Sequence, residues 1–426
     1  MVPIELAVGP SAARSIVSMV TAATTATTTA AASTPAKAEG RSPFVRLHEL
    51  LADIKPEKSA INLSVGEPQH AIPPFVGSVL AAHLNDFGRY PANKGTERFR
   101  GAAGAWLGRR YKLPRALDPE TETIVLNGTR EGLFLGAIAA KRFVGKRAGK
   151  PAILIPNPFY AAYSAGAAAA DCEPVYLPTT RETGFLPDLD AIGEELLART
   201  AVFYLASPSN PQGAVASLDY LTRVAALARR FGFLVFADEC YCEIYLNNRP
   251  PHGMLEISGP DFENVVVFHS LSKRSNLPGL RVGFAAGDRR FLTRFVELRN
   301  VAAPQVPVPL QEVAIAAYAD ETHVDHNREL YVAKFNLADQ IVGDRYGYQR
   351  PDGGFFLWLD VSAKGSDETV TTKLWREGGL RVIPGHYLAR DGADGINPGN
   401  GYIRVALVHD KETTAEALHR LVAVLG

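Results

Sequence analysis

The sequence has few cysteines, no long hydrophobic run and no excess of charge of either sign. Its 426 residues contain three cysteines, an odd number and too few for a disulfide framework. No window approaches 18 uninterrupted apolar residues, so no transmembrane helix is expected. The 45 basic and 45 acidic side chains balance, which gives no support to nucleic-acid binding. We therefore expect a protein of the reducing cytoplasm, without nucleic-acid or membrane partners.

Two of the cysteines, Cys240 and Cys242, form a Cys-x-Cys pair. Zinc sites built from cysteine pairs use a wider spacing and a second pair, and this chain has neither. The flanking residues are typical of a strand end, so buried thiols are favoured and no metal site is predicted.

Residues 1–40 differ in composition from the rest of the chain. The run 21–32 contains only Thr and Ala, and Gly, Ser and Pro flank it. Such a tract has little large apolar surface to bury, which predicts a disordered N-terminal extension. Two origins stay open: a transit peptide, or an over-extended start with Met19 as the alternative.

Beyond residue 120, short apolar runs alternate with helix-like stretches such as Leu218–Arg230. This alternation predicts a doubly wound, mainly parallel sheet of an α/β protein. The runs are Thr123–Leu126, Ala152–Ile155, Ala201–Leu205, Phe233–Ala237, Val265–Phe268 and Val282–Ala285.

The C-terminal part has a different pattern. Helical periodicity over Glu312–Gln340 precedes three strand-like segments, which indicates a smaller α+β domain. A proline cluster in Ala303–Pro309 marks the linker. The strand-like segments are Gly354–Asp360, Arg381–Ile383 and Tyr402–Leu407.

Ligands of parallel sheets bind beyond the carboxyl ends of the strands, so the residues after each run are the candidates. Gly128-Thr129 at a helix start suits a phosphate, although many helices begin with such a pair as a simple cap. Tyr160 follows the next run and is either a stacking ring or a core aromatic. Asn210, between two prolines, offers a rigid amide or forms only a turn.

The last two runs end in charged residues. Asp238 closes a buried strand and needs a partner, which a protonated pyridine nitrogen or an arginine could supply. Lys273 follows Ser270 on a predicted loop, where burial lowers the pKa of a lysine enough for imine formation. Arg281, eight residues further on, can grip a phosphate.

This ordered set resembles the fold-type I enzymes that use pyridoxal 5′-phosphate (PLP), and more narrowly the class I/II aminotransferases. The resemblance runs from about residue 41 to 426. One departure is Gln212, where the family usually has threonine after Asn-Pro. The matching stretches are 64–68, 90–91 with 94–95, 210–213, 238–241, 270–273, Arg281 and Arg404.

The resemblance implies a role for each matching residue. Lys273 forms a Schiff base with PLP and carries the proton, Asp238 pairs with the pyridinium, and Tyr241 with Asn210 bonds the ring oxygen. Tyr160 stacks on the ring. The residues that hold the phosphate are Gly128, Thr129, Arg130, Ser270 and Arg281. Tyr90 reaches the cofactor phosphate of the neighbouring subunit in a homodimer. Arg404 binds the α-carboxylate of the substrate, and Asn210 also contacts the substrate. Gly66 lies in a flexible segment that closes over it.

The resemblance also implies the fold and its divisions. We expect a seven-stranded, mainly parallel sheet flanked by helices, with a smaller α+β domain. Residues 41–75 would form an arm joining the small domain, 76–305 the large PLP-binding domain, and 306–426 the small C-terminal domain.

A closer resemblance is to bacterial succinyldiaminopimelate aminotransferases of lysine biosynthesis. The stretches that carry it are 42–47, 63–68, 127–131, 156–160, 272–281 and 396–399. This family moves an amino group between glutamate and N-succinyl-2-amino-6-oxopimelate. Both compounds have a second carboxylate, for which Lys94 and Arg46 are candidate partners or merely solvated cations.

Three other functions stay open. One is an aminotransferase for aspartate, alanine, aromatic amino acids or LL-diaminopimelate, which would use the same cofactor residues. Another is a PLP-dependent lyase that cleaves C–S bonds. The third is a non-enzymatic regulator with this fold, but residues 1–40 are too short and too rich in Thr and Ala for a DNA-binding domain.

Overall fold

The computed structural model describes residues 41–146, 149–392 and 394–426, so the predicted disordered extension over 1–40 lies outside the described residues. The helices of the described residues are α1 Pro43–Leu51, α2 Val76–Ala82, α3 Glu97–Tyr111, α4 Thr129–Val144, α5 Ala161–Ala169, α6 Glu194–Arg199, α7 Leu218–Phe231, α8 Leu271–Arg274, α9 Arg289–Ala302, α10 Val308–Ala319, α11 Thr322–Ile341, α12 Asp367–Gly378 and α13 Lys411–Leu425. The strands are β1 Ile61–Asn62, β2 Thr123–Leu126, β3 Ala152–Asn157, β4 Glu173–Pro178, β5 Thr200–Ala206, β6 Leu234–Asp238, β7 Val265–Ser270, β8 Gly283–Gly287, β9 Phe356–Asp360, β10 Leu380–Arg381, β11 Ile383–Pro384 and β12 Tyr402–Ala406.

A seven-stranded sheet forms the centre of the fold, in the order β2-β8-β7-β6-β5-β3-β4. Strand β8 runs antiparallel to both of its neighbours, whereas the other pairs are parallel. The prediction of a seven-stranded, mainly parallel sheet in an α/β fold is therefore confirmed. The carboxyl ends of β3, β5, β6 and β7 meet at one edge, which brings their following loops together.

Burial explains why six of these strands stand out in the sequence. Strands β2, β3, β7 and β8 are buried throughout, as expected for a sheet covered by helices on both faces. Strand β4 lies at the sheet edge and is only half-buried. Its prolines Pro174 and Pro178 interrupt the apolar run, and an edge strand tolerates them because it lacks a neighbour on one side.

A second, three-stranded antiparallel sheet has the order β11-β12-β9. Arg404 of β12 lies opposite Trp358 of β9, so the two side chains share a face of this sheet. A separate parallel pair joins β1 to β10, and α13 packs on α11 and α12. Ser42–Gly426 form one compact unit, and the domain boundaries at residues 75 and 305 stay a prediction.

Two expected absences concern the described ranges alone. There, every helix is too short or too polar to cross a lipid bilayer. The same residues contain no group of His, Cys, Asp and Glu side chains that could hold a metal ion.

Candidate active site

Lys273 lies immediately beyond the carboxyl end of β7. The sequence predicts a loop here, but residues 271–274 form the short helix α8, because Ser270 caps it by accepting from the Ser272 N–H at 3.4 Å. The Lys273 amine donates to the Gly66 carbonyl and lies 5.2 Å from the centre of the Phe355 ring. Burial lowers the pKa of Lys273 to about 8, and the Arg404 charge acts in the same direction.

Asp238 ends β6 beside Lys273's strand and has a defined partner. Its Oδ2 accepts from the Tyr163 hydroxyl at 2.7 Å, and its Oδ1 accepts from the Cys240 N–H at 3.3 Å. Tyr163 is buried and stacks on Tyr204 with ring centres 4.4 Å apart. The sequence prediction missed Tyr163, although it follows Tyr160 by one helical turn at the start of α5.

Gly128, Thr129, Ser270 and Arg281 converge where α4 begins. Gly128 has φ +74°, and a Cβ built on it would overlap the guanidinium of Arg281. A Cβ on Gly283 would lie 3.3 Å from the Thr129 nitrogen and 3.4 Å from the Ser270 Cβ. These residues therefore surround a small cradle with free N–H groups, a hydroxyl and a guanidinium, the groups that bind phosphate.

Arg404 joins two parts of the site. Its Nη1 donates to the Asn210 Oδ1 at 3.1 Å, and its Nη2 donates to the Ser64 carbonyl at 2.7 Å. The guanidinium is buried 4.4 Å from the centre of the Phe356 ring, and burial lowers its pKa to about 10. A Cβ on Gly66 would strike the same ring, so Gly66 lies beside Arg404 as well as Lys273.

Tyr241, Tyr160 and Arg130 lie around the same edge of the sheet. The Tyr241 ring contacts Phe355 edge-on and its centre is 5.9 Å from the Lys273 amine. Burial raises the pKa of Tyr241, so its phenol stays protonated. Arg130 donates from Nε to the Tyr160 hydroxyl at 2.6 Å, so its guanidinium contacts the stacking candidate; its predicted phosphate contact stays a prediction.

Other predicted positions lie outside this cluster. Tyr90 is 96 % exposed in the isolated chain, away from the groups above. Lys94 forms an ion pair with Glu120, and Arg46 lies 3.6 Å above the Tyr387 ring. Gln212, the departure from the family pattern, donates to the Thr179 hydroxyl at 2.9 Å and leaves Asn210 facing Arg404.

Comparisons with known proteins identify relatives over most of the chain. The family model for aminotransferase class I and II matches residues 58–421. An LL-diaminopimelate aminotransferase of Desulforudis audaxviator is 31% identical over 388 residues, covering 90% of this chain and 95% of the relative.

Solved structures give the same family. An aminotransferase of Neisseria meningitidis has 36% identity and a TM-score of 0.85, covering 91% of this chain and 98% of that one. A probable N-succinyldiaminopimelate aminotransferase of Thermus thermophilus has 26% identity and a TM-score of 0.80, covering 90% and 100%. The chain therefore belongs to the class I and II aminotransferases, which depend on PLP.

Proposed function

We propose that this aminotransferase moves an amino group between glutamate and N-succinyl-2-amino-6-oxopimelate, in diaminopimelate and lysine biosynthesis. Both substrates carry a carboxylate at the reacting end and another at the far end. The proposal therefore requires two separate cations. Arg404 is the candidate partner of the carboxylate at the reacting end, because its buried guanidinium donates to the Asn210 amide oxygen and lies near Gly66. A carboxylate and a guanidinium form a bidentate pair that fixes orientation as well as affinity.

The observation that carries the proposal is the position of Arg390. Its main chain is tied to the last residue of β3, since Arg390 N–H donates to the Asn157 Oδ1 at 3.0 Å and Asn157 Nδ2 donates to the Arg390 carbonyl at 2.8 Å. Its guanidinium lies 5.2 Å from the centre of the Phe159 ring, one residue before Tyr160. Its Nη1 donates to the Ala389 carbonyl at 2.9 Å, and none of the ion pairs among the described residues includes Arg390.

These contacts support Arg390 as the partner of the second carboxylate. It is half-buried, so a carboxylate bound there would lose part of its water shell and gain a charge-assisted hydrogen bond. Lys94 is a weaker candidate because its amine is already engaged by Glu120, a carboxylate that it shares with Arg100. The Arg46 guanidinium is engaged by His386 and by the face of the Tyr387 ring.

The residues of the chain fit the cofactor. The residues around Gly128 offer the N–H, hydroxyl and guanidinium donors that a phosphate needs, and the Arg281 guanidinium lies where a Cβ on residue 128 would be. Asp238 retains an oxygen lone pair for a pyridinium N–H. Asn210 uses its oxygen for Arg404, so its Nδ2 stays available for the ring oxygen, as does the Tyr241 phenol. When bound, PLP supplies an electron sink for the charge left by deprotonation.

Within this arrangement the protein moves one proton. Lys273 is the residue that would hold the cofactor, and its free amine would act as the base that takes the proton from the substrate Cα. Its lowered pKa keeps a substantial fraction neutral near pH 8, as a base requires. Asp238 keeps the ring nitrogen protonated, and Arg404 with Gly66 orients the substrate. Two successive half-reactions give ping-pong kinetics.

We further infer a cytoplasmic homodimer. Tyr90 is almost fully exposed, and Leu84 and Phe87 nearby are more than half exposed, which supports a face covered by a second copy. The three cysteines are unpaired, which supports a reducing compartment. Cross-linking through a cysteine introduced at position 90 would test the face.

LL-diaminopimelate is the second candidate substrate, because curated relatives at about 30% identity carry that activity. It shares the distal carboxylate but has a free amine in place of the succinyl amide. Aspartate, alanine and aromatic amino acids, and C–S bond cleavage, use the same cofactor residues and have no contact in this structure that favours them.

A single-turnover comparison would separate these candidates. The PLP-loaded protein is mixed with glutamate, N-succinyl-LL-diaminopimelate, LL-diaminopimelate or alanine, and pyridoxamine phosphate is quantified. We expect fast conversion with the first two. Conversion with glutamate and LL-diaminopimelate but not with the succinylated compound would establish the second candidate, and stoichiometric pyridoxamine phosphate formation from glutamate would exclude a pure lyase.

Variants would then test the second cation. We expect Arg390→Gln to slow the dicarboxylic substrates by on the order of tenfold or more, the effect of one charged hydrogen bond, and to leave alanine unchanged. Arg345→Gln is the matched control, since its exposed guanidinium also donates to a nearby main-chain carbonyl, at 3.1 Å. An equal loss with alanine would reject Arg390 as the specific partner.

A further inference from the structure

A line of hydrogen bonds connects a buried lysine of α11 to the main chain of Lys273. The Lys334 amine lies 2.6 Å from the His70 Nε2, and the His70 Nδ1 lies 2.6 Å from the Asn327 Oδ1. Asn327 in turn donates from Nδ2 to the Lys273 carbonyl at 3.1 Å and to the Arg274 carbonyl at 3.4 Å. These three side chains are distant from Lys273 in sequence, and their hydrogen bonds connect them to its main chain.

Donor chemistry gives this line one direction. A charged lysine has donors only, so the His70 Nε2 must accept and its Nδ1 must carry the hydrogen. That hydrogen is donated to the Asn327 oxygen, which turns the amide nitrogen toward the two carbonyls of α8. The charge of Lys334 therefore sets the tautomer of His70 and the orientation of Asn327.

The surroundings of Lys334 favour this arrangement. Lys334 and Asn327 are each 2% exposed, and the amine also donates to the Leu407 carbonyl at 3.1 Å and lies 4.9 Å from the centre of the Tyr331 ring. Asp410 is the acidic group that acts on it, from an exposed position. An interior amine held by carbonyl and imidazole acceptors rather than by a carboxylate is costly, which points to a role beyond stability.

The titration of the groups agrees with the geometry. Burial lowers the pKa of Lys334 to about 8, with Asp410 opposing, so the amine is mostly charged at neutral pH. Burial, then the charges of Lys334 and His326, lower the pKa of His70 to about 4, with Asn327 opposing. His70 is therefore neutral at physiological pH and can accept from Lys334.

The line also reaches the side chain of Lys273. His70 follows Gly66 by four residues, and the Gly66 carbonyl accepts from the Lys273 amine. Asn327 and Lys334 lie two turns apart on one face of α11, which gives both a rigid support. Helix α11 thus holds the main chain of Lys273 through Asn327. The same helix holds the amine of Lys273 through Lys334 and the 66–70 segment.

We propose that His70, Asn327 and Lys334 are positioning residues for amino transfer, which hold the main chain of Lys273 and the Gly66 carbonyl in place so that the Lys273 amine stays within reach of the substrate Cα. None of the three contacts the reacting atoms. Small errors in the position of a base reduce its rate strongly, because proton transfer needs hydrogen-bond distance.

Two substitutions of His70 separate hydrogen bonding from packing. His70→Phe keeps an aromatic ring against Tyr331, 4.6 Å away between ring centres, but loses both bonds. His70→Gln keeps an acceptor for Lys334 and a donor for Asn327. The matched control is His252→Phe, which removes an exposed histidine that contacts Glu256 at 3.0 Å, away from the cofactor residues.

The first measurement is amide hydrogen exchange of residues 271–277 in the cofactor-free protein, followed by kcat and KM of the PLP-loaded protein with the best donor in an amino-acid panel. For His70→Phe we expect faster exchange in this segment and a kcat lower by on the order of tenfold, the effect of one buried hydrogen bond, with KM within about threefold. His70→Gln should restore both values, and His252→Phe should match the wild type.

Several outcomes would overturn the proposal. Unchanged exchange and kcat in His70→Phe, even with a lower melting temperature, would leave His70 a purely structural residue. A His70→Gln protein as slow as His70→Phe would mean that hydrogen bonding is not the cause. If His70→Phe does not fold, Asn327→Asp gives the test, since it keeps the acceptor for His70 but cannot donate to Lys273; normal exchange and kcat there would equally reject the proposal.

Discussion

The guanidinium of Arg404 donates to the amide oxygen of Asn210 at 3.1 Å. Arg404 belongs to β12 of the three-stranded sheet, whereas Asn210 follows β5 of the seven-stranded sheet. One hydrogen bond therefore links the proposed substrate-carboxylate arginine to the proposed ligand of the cofactor ring. A substrate carboxylate bound to Arg404 would therefore lie one hydrogen bond away from the amide proposed to bond the ring oxygen.

Removal of Arg404 should separate substrate binding from cofactor binding. Arg404→Ala deletes two charged donors at the proposed carboxylate site, so we expect KM for the amino donor to rise by about 100-fold or more. The cradle around Gly128 is untouched, so PLP should stay bound. Steady-state kinetics and the visible absorbance of the bound cofactor check both parts, and loss of the cofactor itself would contradict the assignment of Arg404.

The lowered pKa of Lys273 predicts how cofactor capture depends on pH. Only the neutral amine attacks an aldehyde, and burial lowers the pKa of this amine from 10.5 to about 8. In cofactor-free protein we expect the rate of PLP capture to rise with pH up to about 8 and to level off above it. Stopped-flow absorbance measures this rate.

The Lys273→Ala variant supplies the control for this experiment. It should develop no visible band of a lysine imine at any pH, only the absorbance of the aldehyde, and yield no borohydride-reduced adduct at position 273. A wild-type rate that continues to rise up to pH 10 would mean that the amine titrates as an ordinary solvated lysine, and a reducible band in the variant would mean that another lysine binds the cofactor.

The sequence predicted the strands that are buried on both faces and missed the one that is not. Strand β2 was predicted to the residue, and β7 extends only two residues beyond the predicted Val265–Phe268. A continuous apolar run indicates burial on both faces, so such a strand is visible in one sequence whether it is central, as β7 is, or at an edge, as β2 is. The edge strand β4 mixes Glu173, two prolines and half-buried side chains, so its pairing depends on a neighbour that periodicity does not reveal.

The candidate site was predictable where its chemistry is local. Asp238 and Lys273 stand at the ends of predicted strands, and parallel topology alone brings these ends together. Tyr163 was missed because a tyrosine inside a helix looks like core until its hydroxyl partner is known. Lys334 was missed because its helical position suggests a solvated face, and His70 meets it only in the folded chain.

The stacked pair Tyr163 and Tyr204 offers an internal comparison. Tyr163→Phe removes the hydroxyl that donates to Asp238 at 2.7 Å, whereas Tyr204→Phe removes one that donates to the Leu133 carbonyl at 2.6 Å. Both variants keep the aromatic stack. We expect Tyr163→Phe to reduce kcat by on the order of tenfold, because the carboxylate loses the bond that orients it toward the ring nitrogen.

Tyr204→Phe should lower the melting temperature by about as much as Tyr163→Phe does, since the loss of one buried hydrogen bond is common to both variants. Its kcat should stay within about twofold of the wild-type value. Thermal unfolding and single-turnover kinetics on the same preparations make the comparison. If both variants lose kcat equally, stability rather than the orientation of Asp238 explains the effect.

Gly128 and Gly145 flank the same helix, and both have a positive φ. Gly145 ends α4 in the left-handed helical conformation (φ +60°, ψ +38°), where alanine costs about 1–2 kcal/mol, whereas Gly128 begins α4 at φ +74° and ψ +153°, a conformation that glycine alone normally adopts. Alanine is therefore strained at both positions, and more so at Gly128. At Gly145 the new methyl group meets open space among the described residues, but at Gly128 it must displace the Arg281 guanidinium. We therefore expect Gly128→Ala to raise the Kd for PLP by about 10-fold to 100-fold, the effect of a charged hydrogen bond, and Gly145→Ala to leave this Kd unchanged. Titration of the cofactor-free variants with PLP tests this expectation, and equal affinities would mean that Arg281 does not depend on Gly128 to reach the phosphate.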